Sequence, residues 1–187
     1  MGIFDKLKAK RYSKQKAAQF LVTTAIGRVE PFIEFYLPGI CEDLGISIVD
    51  CNVGEIRSEL TALQMWATLK ALEGDDAELL AAIRDEFLSS FIKGLEGSQL
   101  GPVEVSEVFC QRCELYDRVW DDASGSNQAI WATNVLAVLL NNGKVEKKLL
   151  NLFAAHTIQI FTFETMQIVL DARKKIAGIV TLKGRKQ

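Results

Sequence analysis

Apolar positions recur along most of this chain at steps of three and four, the repeat of one helix face, and glycine and proline cut the pattern into about six helical stretches. The first is expected from about Ser13 to Leu37, stopping at Pro38-Gly39. Within it Pro31 cannot donate to the carbonyl of Gly27, which predicts a kink or break. The second, about Val53 to Glu73, opens with Asn52 and Glu55 in capping-box spacing, and the third, about Asp76 to Leu95, opens with Asp75 and Glu78 in the same spacing. These two form a helical hairpin. On the third, Leu80, Ile83, Phe87 and Phe91 share the core side, opposite Asp85, Ser89 and Lys93.

After a glycine-bearing loop from Gly94 to Gly101, a fourth helix starts at Pro102 and runs to about Asp122, with Val105, Phe109, Cys113, Tyr116 and Trp120 in one stripe. A fifth is expected over about Asn127 to Asn141. The sixth, Val145 to about Ile176, carries Leu150, Ala154, Ile158, Phe161, Ile168 and Ala172 on one face and Leu149, Phe153, Ile160 and Phe163 on another. A helix apolar that far round must be covered, so helices five and six are predicted to form the centre of the bundle or a homodimer interface. Ile46 to Val53 and Ile179 to Leu182 are rich in β-branched residues. An irregular linker and a frayed end are the default reading for them, with a small two-stranded ribbon as the alternative. The expectation is an all-α, single-domain bundle of about six helices over residues 13–178 with a long, largely buried C-terminal helix, between a basic segment 1–12 and a basic tail 179–187.

Composition changes this picture little. Of 187 residues, 49% are hydrophobic and 25% charged, which suits a globular domain and excludes a chain disordered throughout. Four cysteines are too sparse for a disulfide scaffold, and no cleavable secretory start is evident, so a cytoplasmic location is expected. Ser124 to Gly143 lacks charge, yet its apolar part, Ala129 to Leu140, is too short to cross a bilayer.

Charge is segregated. Residues 1–29 hold 7 basic and 1 acidic side chains, residues 30–123 hold 6 and 20, and residues 124–187 hold 9 and 3, so an acidic middle of −14 lies between two ends of +6 each. Such a chain either folds its ends against its middle or meets a charged partner. Lys6, Lys8, Lys10 and Arg11 follow Ile3, Phe4 and Leu7, a short basic amphipathic start that offers too little apolar surface to hold a membrane alone. Lys6 stands where a myristoylation pattern needs Ser or Thr.

Candidate chemistry is thin. Cys110 and Cys113 form C-x-x-C, but well inside a predicted helix and beside Glu107, Glu114 and Asp117, which oppose a thiolate; they are expected to pack. Cys41 and Cys51 are spaced unlike any zinc knuckle. His156, the single histidine, is expected in the core, and no Glu-x-x-His accompanies it. Glu30 with Glu34, and the oxygen-rich run from Asp121 to Asn127, lack the further ligands of an ion site. Trp66, Trp120 and Trp131 are expected as packing anchors. Phosphate-binding and nucleophile motifs are absent, so no cofactor, metal or catalytic residue is assigned.

By elimination the sequence points to a non-catalytic interaction protein. Its expected binding surface is acidic, with Asp85, Glu86, Glu107, Glu114 and Asp117 toward a protein partner, and sequence-specific nucleic acid is not expected. The first alternative is a bundle with an apolar-ligand pocket, or a small enzyme, between its central helices, lined by Trp131, Phe153, His156 and Phe161. The second is peripheral membrane contact through the basic N-terminus.

Overall fold

The computed structural model describes residues 14–94, 102–122, 132, 135 and 152–181. Of these 134 residues 121 are helical, about 90%, and none is in a strand. Five long helices, α1 (Lys14–Ile26), α3 (Val53–Ala71), α4 (Ala77–Gly94), α5 (Pro102–Asp122) and α6 (Leu152–Thr181), are joined by a short α2 (Leu37–Asp43). The basic start, the tail beyond Thr181 and most of the expected fifth helix lie outside the described residues; of that helix Ala132 and Val135 are described, both helical and buried. Among the described residues no helix is long and apolar enough to cross a membrane.

The first expected helix is divided, and not at Pro31. α1 ends where Gly27 N–H donates to Thr23 and Arg28 N–H to Ala25, and a short turn Val29–Pro31 then restarts the helix. The carbonyl that Pro31 cannot reach is that of Gly27, so the missing bond shows itself four residues before the proline. A π-helical turn, Phe32–Tyr36, leads into α2, in which Pro38 falls in the first turn, where no donor is required. The chain therefore stays helical through Pro38 to Asp43. Gly45, at φ 66°, ends it in a conformation that favours glycine. The linker before α3 holds a 3₁₀ turn, Ile48–Asp50, in place of a ribbon strand.

α3 is the central element. Thr61 to Thr68 are eight consecutive buried residues, and the helix packs on α1, α4, α5 and α6. The sequence pattern assigns a central place to the expected fifth and sixth helices, and most of the fifth lies outside the described residues. α6 is 30 residues long, and it buries Ala154, Ile158, Phe161, Thr165, Val169 and Ala172 while Ile160 and Phe163 remain about two-fifths exposed. Of the expected second face, Ile160 and Phe163 are therefore at the surface, and Leu149 and the Phe153 side chain lie outside the described residues. α6 also stays helical to Thr181, into the expected tail. Small residues on α1 (Ala17, Ala18, Ala25) permit close approach to α4, its main neighbour. Phe32 meets Phe161 of α6 with ring centroids 4.4 Å apart, and the Arg28 guanidinium lies 5.4 Å from the Phe161 centroid.

One described basic residue from each end of the chain, Lys14 and Arg173, meets the acidic middle at the start of α4. Lys14 pairs with Asp76 at 2.9 Å and with Glu78, and Arg173 of α6 grips Asp75 by two hydrogen bonds of 2.6 and 2.9 Å. Asp76, one residue after the expected cap, accepts from Leu79 N–H at 3.0 Å, and Asp75 accepts from Asp76 N–H at 2.8 Å as well as from Arg173. The cap of α3 is as the spacing predicts, with the Asn52 side chain accepting from Glu55 N–H at 3.2 Å.

Asp75 makes a pH-dependent contribution. The Arg173 hydrogen bonds hold its pKa below the ordinary 3.8, so the native state binds this proton less readily than the unfolded chain. The resulting stability is present above the unfolded value and is lost as pH falls through the folded one. Asp75→Asn is expected to cost about 1 kcal/mol at pH 7 in urea titration, and the difference from the parent protein should close below pH 3.8.

Candidate functional site

A groove of about 610 Å³ runs between α3, α4 and α5. Trp66 of α3 lies edge-on to Tyr116 and Trp120 of α5, at 6.0 and 5.4 Å, and Phe91 of α4 meets Phe109 of α5 at 4.3 Å. Beside these contacts Met65, Leu69, Leu80, Leu88 and Phe109 form an apolar floor. Its edges are polar: Lys70 and Glu73 on the α3 side, Arg84 on the α4 side, and Cys110, Glu114 and Asp117 on the α5 side.

The α5 edge is fixed from behind. The Trp66 indole donates to an Asp117 carboxylate oxygen at 2.9 Å, and Lys70 Nζ lies 3.7 Å from the same oxygen and 3.4 Å from Glu73. Deeper between α3 and α5, Glu59 receives Arg112 at 2.7 Å and the Tyr116 hydroxyl at 3.2 Å. Burial raises the Glu59 pKa even with Arg112 beside it, and burial also raises that of Tyr116, with the Glu59 charge adding to the effect. These contacts set the register of α5 against α3. They leave exposed a face of α5 that carries Glu104, Glu107, Glu114 and Asp117, with Gln111 and Arg118 among them.

The five expected acidic residues therefore do not form one patch. Glu107, Glu114 and Asp117 share the exposed face of α5. Asp85 is exposed on α4, about 100° round the helix from Arg84 of the groove, and Glu86 is turned about 200° away, where Gln15 of α1 donates to it at 3.3 Å. The C-x-x-C pair lines the groove, with Cys110 exposed and Cys113 half-buried. Burial, with the charge of Asp117, pushes the Cys113 thiol up to about 12, so it stays protonated at neutral pH. Glu30 is not paired with Glu34 for chemistry; Arg57 holds it at 2.5 and 3.1 Å and lowers its pKa.

The expected ligand pocket is not assembled from the residues named for it. His156 is exposed, not in the core, whereas Phe161 is buried against Phe32. Five residues apart on one helix, they point about 140° away from each other and cannot line one space. Trp131 lies outside the described residues, as does the Phe153 side chain. So do Lys6, Lys8, Lys10 and Arg11 of the basic start. Among the described residues no group of three or more His, Cys, Asp or Glu side chains is placed to hold a metal ion. Periodicity found the stripe of α5 but gave no sign of the groove, which depends on how three helices diverge.

Comparison with family models, with curated proteins and with solved structures finds no match to this chain.

Proposed function

We propose that this chain is an interaction protein whose groove between α3, α4 and α5 receives a basic, amphipathic helical segment of a protein partner. The observation that carries this reading is the pairing of an apolar floor with an acidic wall. Met65, Leu69, Leu80, Leu88 and Phe109 offer an apolar surface for the side chains of one helix face, Glu114 and Asp117 line the α5 side, and Glu107 is exposed on the same helix beyond the groove. Arg84 on the facing wall asks for an acidic or polar side chain on the opposite flank of the guest. The groove opens to solvent, which suits a helix laid along it better than an enclosed small ligand. The acidic wall sets specificity and association rate more than affinity, because its charges are exposed and screened by salt.

Two synthetic peptides of equal length test this, each with leucine at positions i, i+3, i+4 and i+7, one with lysine and the other with glutamate on the remaining face. Trp66 in the floor provides a fluorescence signal. The lysine peptide is expected to bind, with affinity falling on the order of tenfold or more as salt rises from about 0.05 to 0.5 M. Glu107→Lys with Glu114→Lys should weaken it by a similar factor and leave the fold intact, since both residues are exposed. Equal binding of both peptides, or affinity insensitive to salt, would overturn the proposal.

A further inference from the structure

Cys41 and Cys51, ten residues apart, are brought together by local chain geometry. Cys41 is buried on α2; the chain then reverses at Gly45, where Ile46 N–H donates back to the Cys41 carbonyl at 2.9 Å, and the 3₁₀ turn Ile48–Asp50 returns Cys51 to the same spot. The two Sγ atoms are 3.6 Å apart, at van der Waals contact and without a bond between them. Cys51 is half-buried and also faces the Ser47 carbonyl at 3.8 Å. Between them Leu44 is buried and Ile46 half-buried, while Ser47 to Asp50 stay at the surface, Ile48 and Val49 with large exposed fractions.

We propose that Cys41 and Cys51 form a reversible oxidation site, closing to an intrachain disulfide when the protein meets a peroxide. Cys51, the more accessible sulfur, reacts first: its thiolate attacks one peroxide oxygen, the O–O bond breaks, and a sulfenic acid forms with release of hydroxide, which takes up a proton as water. The Cys41 sulfur then attacks the sulfenic sulfur, giving up its proton and expelling the second oxygen as water. Two thiols and one hydrogen peroxide become one disulfide and two waters, a two-electron oxidation in which the peroxide is reduced. A thiol of the glutathione class reverses it by exchange. Burial, reinforced by the Cys51 neighbour, raises the Cys41 pKa to about 12, which keeps that sulfur unreactive toward bulk oxidant and reserves it for the second step. The consequence is a closed loop that ties the exposed turn to α2.

The full-length reduced chain, treated with stoichiometric hydrogen peroxide, alkylated and digested with trypsin, tests this directly. Cys41 and Cys51 fall in one tryptic peptide, Val29–Arg57, while Cys110 and Cys113 fall in two others. The expected result is that Val29–Arg57 becomes lighter by two hydrogens and escapes alkylation, and that dithiothreitol restores it. The oxidised chain should melt about 5–10 °C higher than the reduced one, and Cys51→Ser should show neither change. Oxygen addition at Cys51 with Cys41 still alkylatable would overturn the proposal. So would earlier linkage through Cys110 or Cys113, or a covalent dimer.

Discussion

Trp66→Ala is expected to lower stability by about 3–5 kcal/mol and the melting temperature by about 10 °C or more. Trp66 is 2% exposed at the middle of α3, and its ring is met edge-on by Tyr116 and Trp120, the latter itself 5.9 Å from Phe163 of α6. Removing the indole deletes apolar contacts to α5 and leaves a cavity that two rigid rings fill poorly, so the transfer and cavity contributions add. It also frees the Asp117 carboxylate, which is exposed and accepts water in place of the indole N–H. Trp66→Phe separates the two effects: it keeps much of the ring, loses the hydrogen bond, and should cost less than half as much. Urea denaturation with an unchanged slope would confirm that native stability is what falls. A loss below about 1 kcal/mol for Trp66→Ala would mean that this aromatic contact does not hold α5 to α3. Because Trp66 also floors the groove, the lysine peptide should bind the alanine variant weakly even where the variant is folded.

The same helix shows how far the sequence could be read. Elements announced by local chemistry were legible: the Asn52 cap, the stripe of Phe109, Cys113, Tyr116 and Trp120, and the core side of α4 with Ile83 and Phe87. The central role of α3 was not, although Leu60 to Leu69 contains no charged residue, because Thr61, Gln64 and Thr68 interrupt the apolar pattern that marks a surrounded helix. On α6 the error runs the other way. His156, Ile160 and Phe163 share a face that looks like core by spacing and lies at the surface, since periodicity shows which residues share a side and not what covers it.

Other features depended on residues far away in the chain. Asp75 is expected to cap α4 by its spacing from Glu78, but the cap is Asp76, and both oxygens of Asp75 are met by Arg173, 98 positions later. Charge segregation left open whether the ends meet the middle or a charged partner; Lys14 and Arg173 do meet the middle, at a place that segregation did not indicate. The groove and the Cys41–Cys51 contact arise from helix divergence and from a turn at Gly45, neither of which has a spacing rule.

Gln64→Met is expected to raise stability by about 2 kcal/mol, an uncommon sign for a change at the centre of a core. Gln64 is fully buried, and among the described residues neither its amide nitrogen nor its amide oxygen meets a hydrogen-bond partner; the Thr68 hydroxyl, one turn later, is in the same state. The neighbouring polar residues differ, because Thr61, Thr162 and Thr165 each donate to the carbonyl four residues earlier in their own helix. A glutamine side chain is too long to satisfy itself that way, so folding strips its amide of water without replacement, at a cost of about 1–3 kcal/mol for each such group. Methionine has nearly the same length and flexibility, fills the same space and asks for no partner. The gain should appear as a rise in melting temperature of about 4–8 °C with the helical circular dichroism unchanged. Destabilisation by 1 kcal/mol or more would show instead that the amide is hydrogen-bonded in the folded protein, and that the packing around α3 includes a polar contact that its buried face does not display.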